Sequence, residues 1–210
     1  MVSQAAQVDS LLGKRTTSKS EFGYKAEEIL LAVVSNRLDW EIGPDEIEFI
    51  NKTLQIDPRI KFLLVGRCED KLVTKIGQMC GPRAECLGPI VEIKTFLSMI
   101  DFLINTKRLG GGGAAATAIG HGTPVFSINY GDVTSLLPSE YLADNYAELL
   151  GLITCHLELD KPTRQQIAYS IFNQFPKFKD NVKSLIKALA WKHRKDRINA
   201  VNQRSQSLVN

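Results

Sequence analysis

Residues 101–132, DFLINTKRLGGGGAAATAIGHGTPVFSINYGD, decide how this chain is read. An apolar run, Phe102 to Ile104, leads through the basic pair Lys107 and Arg108 to four glycines, Gly110 to Gly113. Small residues follow, then Gly122-Thr123-Pro124 and a second apolar run, Val125 to Ile128. That order spells strand, glycine turn, short helix, strand. A glycine turn that opens a helix aims free backbone N–H groups outward at the positive end of the helix dipole, where an anion gains roughly 0.3–1 kcal/mol. Lys107 and Arg108 bring two full charges to the same mouth, which suits a phosphate group. The same glycines and alanines also fit a plainer role, a helix pressed close against a sheet. Neither common phosphate motif fits. The Gly-Lys-Ser/Thr ending of a P-loop is missing, and the dinucleotide fingerprint belongs to the first strand-helix turn, whereas this stretch lies deep in the chain.

Working outward, other strand ends carry the same chemistry. Ile29 to Val34 is a continuous apolar run, the pattern of a central strand buried on both faces. It delivers Ser35, Asn36 and Arg37 at its carboxyl end, where open α/β sheets bind ligands. Arg37 is therefore a candidate for the phosphates, with a surface pair to Asp39 or Glu41 as the alternative. Pro44 starts a helix, with acids in its first turn and Ile47, Ile50 and Leu54 at helical spacing; Asp57-Pro58 stops it. Lys61 to Gly66 is the second strand, and Gly66-Arg67 again places a glycine and a cation at a strand end. A helix over 69–79 faces Leu72, Val73 and Ile76 inward, and Gly81-Pro82 closes it. Ala84 to Leu87 is a short strand, 92–100 a helix, and helices follow over 145–156 and 163–175. Strands and helices alternate throughout, the mark of a parallel sheet covered on both faces.

Asn105-Thr106-Lys107-Arg108, the glycines, Ala114 to Ala118, Gly122-Thr123-Pro124-Val125 and Asp132 together resemble the nucleotide-sugar-binding half of GT-B glycosyltransferases. The resemblance spans roughly residues 28–175 and implies a Rossmann-like α/β half-domain with a long C-terminal helix. It implies that an NDP-sugar, with UDP favoured, is held by its diphosphate at the glycine turn, Gly111, Gly112, Gly113 and Ala114; the cations at successive strand ends, Arg37, Arg67, Lys107 and Arg108, are expected to converge on the same crevice by the switch-point rule. The base would lie beside Ile90 and Val91, and Asp132 would either meet sugar hydroxyls or cap a neighbouring turn. Retaining members carry a Glu where this chain has Thr117 and another where it has Leu109. Without those acids, neither ribose contact at Thr117 nor a retaining mechanism is implied. The family's acceptor site and base lie mostly in an N-terminal half, so an N-terminal GT-B domain or partner subunit is expected, and no catalytic residue is assigned. Other readings of the same crevice are a non-catalytic nucleotide- or phosphate-binding regulatory module and a sugar epimerase of the same fold.

The 210 residues suit one domain, and 44% hydrophobic with 23% charged residues excludes a disordered chain. A net charge of +3 makes no demand for nucleic acid. No apolar run reaches the ~20 residues of a membrane span and the N-terminus lacks a signal-peptide core, so the cytoplasm is the expected location. Cys68, Cys80, Cys86 and Cys155 lack the tight pairs of a zinc site, so no metal is expected, and no cofactor beyond the nucleotide-sugar donor. His121 reads as a helix-end residue. Residues 1–25 read as a flexible lead, 26–178 as the Rossmann-like domain, and 179–210 as a basic amphipathic helix and tail. That helix can pack onto a partner domain or touch an anionic membrane peripherally.

Overall fold

The structure, a computed structural model, describes residues 18–174, with side chains to 171. The chain divides into Met1–Ile171 and Phe172–Asn210, and of the second unit only the backbone of 172–174 is among the described residues. The expected C-terminal helix and its membrane contact, like residues 1–17, therefore lie outside the described residues.

Six parallel strands form one sheet: β1 (Ile29–Val34), β2 (Ile60–Val65), β3 (Ala84–Gly88), β4 (Phe102–Asn105), β5 (Val125–Ile128) and β6 (Leu142–Ala143), in the order β3-β2-β1-β4-β5-β6. The helices are α1 (Leu38–Glu41), α2 (Pro44–Ile56), α3 (Asp70–Cys80), α4 (Ile93–Met99), α5 (Gly112–Gly120), α6 (Tyr146–Leu157) and α7 (Lys161–Gln174). Leu30 to Val33 and Phe62 to Leu64 are fully buried, because helices cover the sheet from both sides and leave no face for polar residues. On one side α2 packs against α3 and α6; on the other α4 packs against α5. This is a Rossmann-like α/β arrangement.

Local sequence explains the elements. In α2, Pro44 occupies the first turn, and the Gly43 N–H donates to the Glu46 carboxylate at 2.9 Å. Ile47, Ile50 and Leu54 are buried, and Phe49 meets Phe62 edge-on with centroids 6.1 Å apart. In α3, Leu72 and Ile76 are buried but Val73 is 44% exposed. One residue step turns a helix by about 100°, which carries Val73 off the stripe that Leu72 and Ile76 define.

Residues before 26 are also tied to the domain. Residues Lys19–Phe22 form a 3-10 turn, Phe22 packs edge-on against Phe96 at 5.9 Å, and Tyr24 is buried. The Lys19 ammonium donates to the Asp101 carboxylate at 2.6 Å and to the Glu28 carbonyl. Asp101, itself buried, also accepts from the Leu30 N–H at 2.9 Å. The polar composition of the lead conceals this anchor, because the partner of Lys19 lies 82 positions away.

Candidate functional site: a crevice at the ends of β1 and β4

The strand order reverses direction between β1 and β4: the chain runs outward through β2 and β3, then returns to start β4 beside β1. Adjacent loops diverge there, which opens a crevice at the carboxyl ends of the two strands. It encloses about 310 Å³. The β1 end contributes Val34, Ser35, Asn36 and Arg37, and α1 contributes Glu41. The loop from β4 into α5 contributes Arg108, Gly110, Gly111, Gly113 and Ala114.

Arg108 is the fixed charge of this crevice. Its side chain is 4% exposed, its Nε donates to Asn105 Oδ1 at 2.6 Å, and its Nη1 donates to Glu41 Oε2 at 3.0 Å. Asn105 is buried and donates from Nδ2 to Ser127 Oγ at 3.1 Å, and Ser127 donates to the Ile128 carbonyl at 2.7 Å. The guanidinium is thus aligned by a polar chain anchored in β4 and β5. Arg37 differs, being 68% exposed and 3.6 Å from Glu41. Its partner is Glu41 and not Asp39, whose carboxylate accepts from the Glu69 N–H at 2.9 Å.

Gly111 shapes the turn. At φ 117° it lies in the left-handed region, and a Cβ there would fall inside Asn105 Oδ1 and 2.9 Å from Arg108 Nη2. The helix that follows presents its first amides. The Ala115 N–H is paired to the Gly111 carbonyl at 3.0 Å, and the Gly112 N–H donates to Asp132 Oδ1 at 3.1 Å. Gly113 and Ala114, in the first turn of α5, line the crevice at the helix end where the dipole favours an anion. The loop is held from behind: the Lys107 N–H donates to the Tyr146 hydroxyl at 3.2 Å, and that hydroxyl donates to Glu46. Burial, followed by the Glu46 bond, raises the Tyr146 phenol.

The crevice gathers Arg37, Arg108, Gly111, Gly113 and Ala114, with Gly112 beside it. It does not gather the rest. The Lys107 ammonium lies over the Tyr130 ring, 6.0 Å from its centroid. Arg67 is exposed on the loop after β2, Val91 is 93% exposed after β3 and Ile90 is half-buried beside it. None of these three lines the crevice. Thr117 donates its hydroxyl to the Gly113 carbonyl at 2.8 Å and so is spent within α5. Asp132 is spent as the acceptor for Gly112. His121 ends α5, with its ring Nδ1 2.8 Å from the Thr117 carbonyl.

Sequence reasoning named Glu41 only as a surface partner for Arg37 and Asn105 only within the family motif, gave neither a role toward Arg108, and passed over Tyr146. The i,i+4 spacing of Arg37 and Glu41 is the local signal behind that pairing. Among the described residues no group of three or more His, Cys, Asp or Glu side chains could hold a metal ion, and no helix is long and apolar enough to cross a membrane.

Neither a family profile nor a curated protein sequence matches the chain. Solved structures do. The C-terminal domain of a glycosyl transferase group 1 protein (LpcC) from Francisella tularensis superposes with a TM-score of 0.57 at 16% identity, over 74% of this chain and 87% of that one. The chain has the fold of a GT-B half-domain. WaaG, a glycosyltransferase involved in lipopolysaccharide biosynthesis, gives a TM-score of 0.61 at 15% identity, over 73% of this chain and 44% of its own. Anabaena HepE, solved in complex with UDP and glucose, gives 0.57 at 17%, over 87% and 53%. This half-domain thus spans about half or less of those longer enzymes.

Proposed function

We propose that this half-domain is the donor side of a glycosyltransferase. It binds an NDP-sugar, a UDP-sugar by preference, and the sugar passes to an acceptor held by an N-terminal acceptor domain or partner chain. The observation that carries this reading is the crevice at the β1–β4 switch point, where a buried, aligned Arg108, the exposed Arg37 and the backbone of Gly113 and Ala114 converge. As the bond to the sugar breaks, negative charge grows on the departing diphosphate. Donors fixed in advance around that position lower the barrier without a metal ion. The GT-B half-domain fold supports the reading, as does the presence of UDP in the matched HepE structure. No cofactor beyond the donor is required, and the cytoplasm, where nucleotide sugars are made, is the working compartment.

Calorimetric titration with UDP, GDP, ADP and a free sugar phosphate tests this. Diphosphate nucleotides should bind, and Arg108→Ala should weaken them by ~1.5–3 kcal/mol while sparing uridine, because one charge-assisted contact is lost. Equal loss for both ligands, or indifference to all of them, refutes the reading. One match favours a second reading: a putative UDP-N-acetylglucosamine 2-epimerase from Listeria monocytogenes superposes with a TM-score of 0.54 over 71% of this chain. Epimerisation of an NDP-sugar by the chain without any partner would select that alternative.

A further inference from the structure

The crevice is already partly filled by the protein's own negative charge. Glu41 sits between the two arginines, 3.0 Å from Arg108 and 3.6 Å from Arg37, with its side chain 11% exposed and lining the cavity. Asp132 does the same for the helix end through the Gly112 N–H. We propose that Glu41 is a built-in stand-in for a ligand phosphate: it satisfies Arg108 while the site is empty and gives way when a polyanionic ligand arrives. This deepens, and rests on, the reading of the crevice as a diphosphate site.

The argument turns on what Arg108 needs. A guanidinium that is 4% exposed cannot be left without a negative partner, since an unpaired buried charge is strongly destabilising. Asn105 aligns it but is neutral and supplies no counter-charge. Glu41 supplies it from α1, a helix of four residues followed by the non-helical Ile42, so the carboxylate hangs from a short element and not from the sheet. A ligand phosphate placed in the crevice would be forced close to that carboxylate, and like charges in a shared site repel. Binding therefore requires Glu41 to leave Arg108. The consequence is a threshold in ligand charge: a pyrophosphate, which can engage Arg108, Arg37 and the α5 amides together, outcompetes the carboxylate, and a single phosphate does so poorly.

A simple clamp, in which Glu41 only holds Arg108 in place, makes the opposite prediction for affinity. In the full chain at low ionic strength, Glu41→Gln removes the competing charge but keeps an acceptor for Arg108. Calorimetry with inorganic pyrophosphate should show binding about tenfold tighter than in the parent, the equivalent of one charge-assisted contact. The ligand-free variant should unfold at a lower temperature, and the deficit should close when pyrophosphate saturates the site. Pyrophosphate that binds the parent but binds E41Q equally or more weakly overturns the stand-in role and leaves the crevice reading intact. Pyrophosphate that binds neither protein overturns both. Should E41Q not fold, Glu41→Asp, which retracts the carboxylate from Arg108, carries the same expectation of tighter binding and is refuted by the same result.

Discussion

The four consecutive glycines provide a graded test, because their surroundings differ. A Cβ at Gly110 or Gly113 would meet nothing within 4 Å, one at Gly112 would sit 3.0 Å from Asp132 Oδ2, and one at Gly111 would overlap Asn105 Oδ1. Gly111 also has φ 117°. Replacing Gly111 by Ala therefore imposes a left-handed backbone penalty of roughly 1–2 kcal/mol. It also breaks the charged hydrogen bond that aligns Arg108, about 1.5–3 kcal/mol more. The expected destabilisation is the sum, ~2.5–5 kcal/mol, together with loss of pyrophosphate binding. Gly113→Ala changes the first turn of α5 toward a better helix former and should be neutral or stabilising, by up to about 1 kcal/mol. Gly112→Ala falls between, because Asp132 must give by a few tenths of an ångström. Urea unfolding of the four single variants reads the series. If G111A loses less than about 1 kcal/mol, or G113A loses more than G111A, then the turn does not depend on the Asn105–Arg108 contact and the geometry of the crevice is misjudged.

Three further outcomes follow from the same contacts. Lys19→Met strips the buried Asp101 carboxylate of its closest partner and should cost about 3–5 kcal/mol in chemical denaturation, as expected for breaking a buried pair, whereas a flexible lead would register under 0.5. Tyr146→Phe removes the hydroxyl that ties Lys107 to Glu46; it should cost about 1–2 kcal/mol and weaken pyrophosphate, and unchanged affinity would show that the loop needs no rear support. Burial, with Cys68 adding to it, pushes the Cys86 thiol up to about 12, so iodoacetamide at pH 8 should label exposed Cys155 first and Cys86 last by mass spectrometry. The same shift has a pH signature: because the folded thiol lies above its unfolded value near 8.5, its contribution to stability is complete below about pH 8.5 and is lost as pH climbs toward 12. Urea midpoints that stay flat over that window in the parent, or fall equally steeply in Cys86→Ala, would contradict it.

The sheet was legible because its strands are buried on both faces. Ile29 to Val34 and Lys61 to Gly66, the second apolar from Phe62 to Val65, read as strands bounded by Ser35 and Asp57-Pro58, and each coincides with a strand to within a residue at either end. Helix limits followed from Pro44, Gly81 and Gly122, whose backbone preferences are local. What stayed hidden was long-range. Leu142–Ala143 is too short to carry a period, and it becomes a strand only by pairing with Ser127 and Ile128. The Lys19 anchor depends on Asp101, which the sequence presents only as the residue before a strand.

The site divides along the same line, and the division explains why charge counting along the chain overstates how basic the crevice is. Cations at successive strand ends are visible in sequence, but direction is not. Lys107 and Arg108 are neighbours, yet one ammonium lies over Tyr130 at the surface while the other cation is buried in the crevice, because they sit in the bend after β4, where the chain turns away from the sheet. Counter-charge is hidden still more completely, since Glu41 and Arg108 stand 67 positions apart and Asp132 reaches back 20 to Gly112. Of the four cations read as phosphate ligands, two reach the crevice, and the carboxylate of Glu41 contacts both. A site assembled this way has little excess positive charge when empty, so its affinity should depend on the number of donors a ligand engages at once more than on its attraction at a distance. Raising the salt concentration should accordingly weaken pyrophosphate less in the parent than in E41Q, where the unbalanced arginines act at longer range and are screened. Equal salt dependence in the two proteins would mean that Glu41 does not shield the pair.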